Sequence, residues 1–131
     1  MVTRDADTDP GSRVLNRTGR ERAQALANLV APMGVTAIYS PDVERNLATV
    51  EPLARLSGVE ITRKASVSVE EILERYAGGV VVWVGDVSGS LQAVYGRLGG
   101  AGMGPVDYGD LHMLTIPPSG PVRVEKLHYG P

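Results

Sequence analysis

Apolar residues along this chain recur with two periods, which predict helices that alternate with strands. Residues 23–33 repeat at helical spacing behind Thr-Gly-Arg-Glu, a capping-box pattern that starts at Thr18. VTAIYS, residues 35–40, is short, rich in β-branched residues and bounded by breakers, as a buried strand is. VVVWV, residues 80–84, is apolar throughout, which is typical of a central strand covered on both faces.

Start and stop signals set the bounds of the other elements. Ser-Pro at 40–41 supplies an N-cap and a proline at the first helical position, and Gly58 ends that helix, which Pro52 should kink. Ser68 opens a third helix with another capping box, and Gly-Gly at 78–79 ends it. The predicted helices lie at about 19–31, 41–57, 68–77 and around 91–98, and the predicted strands at 35–40, 59–62, 80–84, 111–116 and 122–129, after a very short first strand before Arg4.

Strands that alternate with helices and end in a strand pair predict an α/β three-layer sandwich. We expect a mostly parallel central sheet with helices on both faces and a C-terminal antiparallel strand pair. A chain of 131 residues buries one core, so we expect a single domain over residues 1–131. Ligands bind beyond the carboxyl ends of parallel strands, which selects residues 4–5, 40–45 and 85–88, each with a charged side chain.

Composition and charge narrow the classes of molecule that this chain is expected to bind. Asp+Glu number 15 against 13 Lys+Arg, without a basic stripe, so we expect no nucleic-acid partner. No apolar run approaches a membrane span, so we expect no membrane partner and a cytoplasmic location. There is no cysteine, and hence no thiol nucleophile, disulfide or thiolate metal site. A small-molecule substrate is the expected partner, and a homo-oligomer is compatible with this composition.

The stretch DADTD that begins at Asp5 has alternating carboxylates, as calcium loops do. Pro10 and Asn16 stand where such a loop needs glycine and glutamate, so it is not an EF-hand. We expect no metal and no cofactor, and a divalent cation near Asp5, Asp7 and Asp9 is left as an open alternative. The charged residues expected to be solvated are Asp7, Asp9, Arg17, Arg20 and Arg22.

Several separated motifs occur along the chain in an order that is typical of one protein family. They are Arg-Asp-Ala-Asp-Thr at 4–8, LNRTGRERA at 15–23, Ser-Pro-x-x-x-Arg at 40–45 with Thr49 and EPLA at 51–54, and Val-Gly-Asp at 84–86. This order resembles the histidine phosphatase superfamily, whose fold is phosphoglycerate-mutase-like, and in particular its short members without a cap. The family carries Arg-His-Gly or Arg-His-Ala at the first motif and Gly-His at the last.

The resemblance implies an anion pocket made by Arg4 and Arg45, with Thr8 beside it. Both positions that hold the family's catalytic histidines are aspartate here, Asp5 at the nucleophile's position and Asp86 at the second. Tyr108 belongs to a glycine-rich stretch, 99–109, which we expect to form a flexible loop over the mouth of the pocket. Of the two histidines, His112 is expected to pack in the closing strand pair.

Residue identity therefore favours chemistry other than phosphohistidine formation. An Asp/Arg/Asp pocket suits acid–base catalysis on a small, non-phosphorylated molecule, with one carboxyl as proton donor and the other as base, as in epoxide opening, cyclisation or hydrolysis. The alternatives are an inactive pseudophosphatase that acts as a binding or scaffold protein, and a metal-assisted phosphatase. An enzyme should have an enclosed pocket, apolar beyond the charged cluster, and a binding protein a shallow one with an apolar patch elsewhere.

Overall fold

Six strands and four helices alternate along the chain in the computed structural model, which describes residues 1–131. The strands are β1 (Val2–Arg4), β2 (Ala37–Ser40), β3 (Ile61–Arg63), β4 (Val81–Gly85), β5 (Asp110–Thr115) and β6 (Arg123–His128). The helices are α1 (Arg17–Val30), α2 (Glu44–Ser57), α3 (Val69–Arg75) and α4 (Leu91–Arg97), and a 3-10 turn at Ala31–Met33 follows α1. None of the helices combines the length and the apolar character that crossing a membrane requires.

The sheet is mixed, with the strand order β3-β2-β4-β1-β5-β6. The first four strands of this order pair in parallel, whereas β5 and β6 extend the sheet as an antiparallel pair. Arg4 lies opposite Gly85 in the register of β1 and β4. Asp5 and Asp86 therefore leave the sheet side by side, at the carboxyl ends of two neighbouring parallel strands.

Each face of the sheet carries one of two apolar clusters, which confirms the predicted three layers. On one face Leu26 of α1 and Leu53 of α2 pack against Val82. On the other face Leu91 and Tyr95 of α4 pack with Trp83 and with the apolar residues of α3. Neighbours along β4 thus point to opposite faces, as the pleat of a strand requires. A fully buried side chain of this size contributes about 1.5–3 kcal/mol.

The observed caps correct two of the predicted helix starts. Asn16, not Thr18, caps α1, because its side chain accepts a hydrogen bond of 2.8 Å from the Gly19 N–H. Ser40 was predicted as a cap but is the last residue of β2, where pairing with β3 keeps it extended, and α2 starts only at Glu44. The Ser68 cap is confirmed, since its hydroxyl accepts from Glu71 N–H.

Arg22 and Asp7 were both expected to be solvated, and this prediction is wrong. The Arg22 side chain is 6% exposed, with its Nε 2.6 Å from Asp7 Oδ1, and its Nη1 donates to the Tyr129 carbonyl over 2.7 Å. The reason is tertiary, because the segment after β6 packs across the start of α1. Gly130 packs against the Cα, Cβ and Cγ atoms of Arg22, and a Cβ at Gly109 would collide with Arg22 Nη1.

Candidate active site

An open cleft of about 380 Å³ lies at the carboxyl ends of β1, β2 and β4. It brings together the six residues that the sequence singled out and three further residues, of which only Ser12 lies outside the segments selected at the strand ends. The predicted lining residues are Arg4, Asp5, Thr8, Arg45, Asp86 and Tyr108, and the added ones are Ser12, Val87 and Ser88. Val87 and Ser88 belong to the segment 85–88 that the strand-end rule selects, whereas no local pattern marks Ser12.

Asp5 is the most enclosed charged group of the cleft, with its side chain only 7% exposed. Its Oδ1 lies 3.3 Å from Nη2 of Arg4, and its Oδ2 lies 3.3 Å from Nε of Arg45. Arg4 ends β1 and Arg45 lies in the first turn of α2. The carboxylate is therefore held between two guanidinium groups that come from different elements.

The guanidinium group of Arg4 has several protein partners, whereas that of Arg45 contacts only Asp5. Nη1 of Arg4 donates to the Val106 carbonyl over 2.9 Å, and its Nε donates to the Asp5 carbonyl over 3.2 Å. Its guanidinium carbon lies 4.1 Å from the centroid of the Tyr108 ring, a cation–π contact. Arg45 contacts only Asp5 through Nε, its Nη groups have no protein partner, and its side chain is 32% exposed.

Hydrogen bonds from Gln92 and Asp110 fix the backbone of the loop just before Tyr108. Gln92 of α4 accepts from Gly104 N–H over 2.8 Å and donates to the Pro105 carbonyl. Asp110 Oδ2 accepts from the N–H groups of residues 106 and 107. The predicted placement of this stretch beside the pocket thus agrees with the structure, and these hydrogen bonds hold Tyr108 over Arg4.

Asp86 has no cation partner, unlike Asp5. Its Oδ1 accepts hydrogen bonds from the N–H and the hydroxyl of Ser88, at 3.1 and 2.9 Å. No protein group binds Oδ2, and no arginine or lysine lies within ion-pair distance of either oxygen. One oxygen of this carboxylate is consequently free for a molecule in the cleft.

Two buried side chains of α2 position the loops beneath the cleft. Thr49 Oγ1 accepts from the Ala6 N–H over 2.8 Å and donates to the carbonyl of Arg45, also over 2.8 Å. Asn46 donates to the Gly85 carbonyl over 3.3 Å. Helix α2 therefore ties the backbone next to Asp5 to the last residue of β4.

The cleft is more polar and more open than the sequence argument expected of an enzyme. Val87 and Tyr108 are its two hydrophobic lining residues. Nowhere in the chain do three or more His, Asp or Glu side chains converge as metal ligands would. Both histidines lie away from the cleft, and His112 packs against Tyr95 with its Nδ1 3.1 Å from the hydroxyl, as predicted. Burial and the nearby Lys126 lower the pKa of His112.

Comparison with known families agrees with this architecture. The model of the histidine phosphatase superfamily (branch 1) matches residues 4–78, more than half of the chain, so the chain belongs to this superfamily. Arg4, Asp5 and Arg45 lie within the matched segment, and Asp86 lies beyond it. No curated protein matches the sequence.

Two solved structures are similar to this chain. The provisionally assigned phosphohistidine phosphatase SixA from Agrobacterium tumefaciens superposes with a TM-score of 0.53 at 23% identity, over 73% of each chain. A protein named mycobacterial hydrolase 1 gives a TM-score of 0.44 at 22% identity, over 59% of this chain and 47% of that one. At these identities SixA supports the fold alone.

Proposed function

We propose that this chain is an enzyme of the histidine phosphatase fold that uses acid–base catalysis on a small, non-phosphorylated molecule. Epoxide opening, intramolecular cyclisation and hydrolysis are reactions of this class. Asp5 and Asp86 form the catalytic pair. The substrate-binding residues are Arg4, Arg45, Thr8 and Tyr108. One observation carries the proposal: two aspartates from separate loops line one cleft in unlike charge environments.

Phosphohistidine chemistry finds no support in this cleft. It needs an imidazole nitrogen, and neither histidine lines the cleft. A phosphate dianion that reached both arginines would also meet the carboxylate of Asp5, which lies between them. At about 4 Å and an effective dielectric constant near 20, one such like-charge contact costs roughly 4 kcal/mol. A substrate without a phosphate group avoids this repulsion.

The different environments of Asp5 and Asp86 suggest different roles, as they do in other catalytic carboxyl pairs. Both oxygens of Asp5 contact a guanidinium group, so neither oxygen is free for the substrate. The free Oδ2 of Asp86 accepts a proton from the substrate or from water and returns it to a leaving or ring oxygen. Asp5 holds Arg4 and Arg45 beside the reacting atoms, where the unused Nη groups of Arg45 stabilise developing negative charge.

A turnover screen with charge-changing, shape-preserving variants tests this function. The wild-type protein is offered neutral epoxides, hydroxy esters and p-nitrophenyl phosphate, each with and without Mg²⁺. We expect turnover of a non-phosphorylated compound and a loss of about 10²–10⁴-fold in Asp86→Asn, the range that general acid–base catalysis supplies. Asp42→Asn is the control, since that side chain is 73% exposed. Full activity in both Asp5→Asn and Asp86→Asn would show that the proposal is wrong.

A binding or scaffold protein without catalysis is the second candidate, and the open, polar cleft favours it. A groove of about 500 Å³ between α1 and α2, floored by Leu15, Ala23 and Pro52, offers it a more apolar surface. This candidate predicts no turnover by the wild-type protein of any compound in the screen. Phosphate release that depends on Mg²⁺ would instead support the third alternative, a metal-assisted phosphatase. A double variant, Asp5→His with Asp86→His, tests whether the fold regains phosphatase activity.

A further inference from the structure

The charges of the cleft are balanced in number and separated in space. Arg4 and Arg45 both contact Asp5, so this end carries two positive charges and one negative charge. Asp86 carries one negative charge without a cation partner. The cleft is therefore neutral as a whole, with an excess positive charge at the Asp5 end and an excess negative charge at Asp86.

At each end the excess charge keeps free hydrogen-bonding atoms. The Nη groups of Arg45 have no protein partner, and 32% of this side chain is exposed. Oδ2 of Asp86 is free, because Ser88 contacts only Oδ1. Guanidinium Nη groups bind carboxylates in a bidentate manner, and a carboxylate oxygen accepts from an ammonium group. The free atoms thus complement one anionic and one cationic group.

We propose that the molecule bound in this cleft is a zwitterion of the amino-acid type, with its carboxylate on Arg45 and its ammonium group on Asp86. This inference rests on the proposed function, because it names the substrate class of the same site: the ammonium group at Oδ2 of Asp86 is the substrate group from which this carboxylate accepts its proton. The hydrophobic side chains of Val87 and Tyr108 contact the carbon skeleton of the ligand. Because a zwitterion has no net charge, it agrees with a cleft that is itself neutral.

Other ligand classes fit the charges less well. A phosphate dianion brings two negative charges to an end whose excess is one positive charge, and it leaves Asp86 without a partner. A simple carboxylate satisfies Arg45 and an amine satisfies Asp86, but each leaves the opposite charge bare. A neutral polyol satisfies neither charge. Only a ligand that carries both charges gives a partner of opposite charge to both Arg45 and Asp86.

Binding titrations with matched probes test the proposal without knowledge of the reaction. The zwitterions are glycine, β-alanine, γ-aminobutyrate and ε-aminocaproate, a series of increasing charge separation. Each zwitterion has two single-charge partners of matched length: acetate and methylamine for glycine, propionate and ethylamine for β-alanine, butyrate and propylamine for γ-aminobutyrate, and caproate and pentylamine for ε-aminocaproate. Inorganic phosphate is the dianion. Amide chemical shifts of the full-length protein report where each probe binds. Residues 5, 45, 86 and 88 mark the cleft.

We expect at least one zwitterion to shift the cleft amides and to bind about tenfold or more tightly than both of its single-charge partners, since a hydrogen-bonded charge is worth at least this factor. Arg45→Gln and Asp86→Asn should each remove this advantage. Asp42→Asn, exposed on the surface, should leave it unchanged. The probe length that binds best then gives the distance between the two charges of the natural ligand.

Three results would overturn the inference. They are the absence of cleft shifts with all four zwitterions, the failure of every zwitterion to bind more tightly than both of its single-charge partners, and an unchanged zwitterion affinity in Asp86→Asn. None of these results bears on the proposed function, which fails only if the turnover screen gives no acid–base activity that depends on Asp5 and Asp86. The two failures are thus distinguishable.

Discussion

The loop after β1 and the loop after β4 start side by side, but they are held in different ways. The first loop, residues 5–8, is fixed by long-range contacts: Asp5 to Arg45, Ala6 to Thr49 and Asp7 to Arg22. The second loop, residues 86–90, is held by hydrogen bonds within itself, from residues 88 and 89 to Asp86. Contacts with distant residues therefore fix the position of Asp5, whereas hydrogen bonds within its own loop fix the position of Asp86.

This difference indicates how the site divides its work. Asp5, which keeps two arginines in place, benefits from a rigid position. Asp86, which exchanges a proton, benefits from one free oxygen and from access to solvent. The first loop should be sensitive to distant substitutions and the second loop mainly to local ones.

The largest effect should come from Arg22→Met, which leaves Asp7 as a buried charge without a partner. Asp7 is 13% exposed and Arg22 is 6% exposed, so solvent screens this pair little. Removing one partner of a buried ion pair costs about 3–5 kcal/mol. We expect a decrease of this size in the free energy of unfolding, measured by urea denaturation.

Arg17→Met is the matched control for Arg22→Met. It is in the same helix, and its side chain is 87% exposed in a pair with Glu21. An exposed pair of this kind is worth about 0–1 kcal/mol. If both variants unfolded at the same urea concentration, the buried pair would not be what fixes the first loop.

Thr49→Val should have the next largest effect on stability. Valine keeps the shape of the side chain but removes the acceptor of the Ala6 N–H, a buried group. An unsatisfied buried donor costs about 1–3 kcal/mol. Thr62→Val on β3, where no side-chain hydrogen bond is lost, is the control. Amide exchange at Ala6 provides the local readout, and unchanged protection there would contradict the role given to Thr49.

Asp5→Asn should raise the affinity for inorganic phosphate. The substitution removes the carboxylate that lies 3.3 Å from each guanidinium, so the anion meets two unopposed positive charges. We expect phosphate to bind about tenfold or more tightly, since a gain of 1.4 kcal/mol is already tenfold. Asp86→Asn should give a smaller gain, because Asp86 contacts neither arginine. Calorimetric titration at low salt measures both, and equal gains would remove the distinction between the aspartates.

The sequence predicted which residues line the cleft better than it predicted the contacts that hold them in place. Arg4, Asp5, Arg45 and Asp86 could be selected because the family resemblance and the strand-end rule depend on local patterns. Arg22 was misjudged, because the partner that buries it lies after β6, at the other end of the chain. The start of α2 was also misjudged: Ser40 was correctly predicted to end a strand, but it was taken as the helix cap as well, whereas α2 starts only at Glu44.

The smallest effect should come from Ser88→Ala in the loop after β4. The substitution removes the hydroxyl that donates to Asp86 Oδ1 over 2.9 Å, and the hydrogen bond from the N–H of residue 88 to the same oxygen is kept. Ser88 is exposed, so stability should fall by no more than about 0.5–1 kcal/mol. If Asp86 transfers the proton, the loss of this donor should lower kcat more than it changes KM, because Arg4 and Arg45 still bind the substrate. Ser90→Ala, which removes no side-chain hydrogen bond, is the control. A change in KM alone would indicate that Asp86 binds the substrate without taking part in proton transfer.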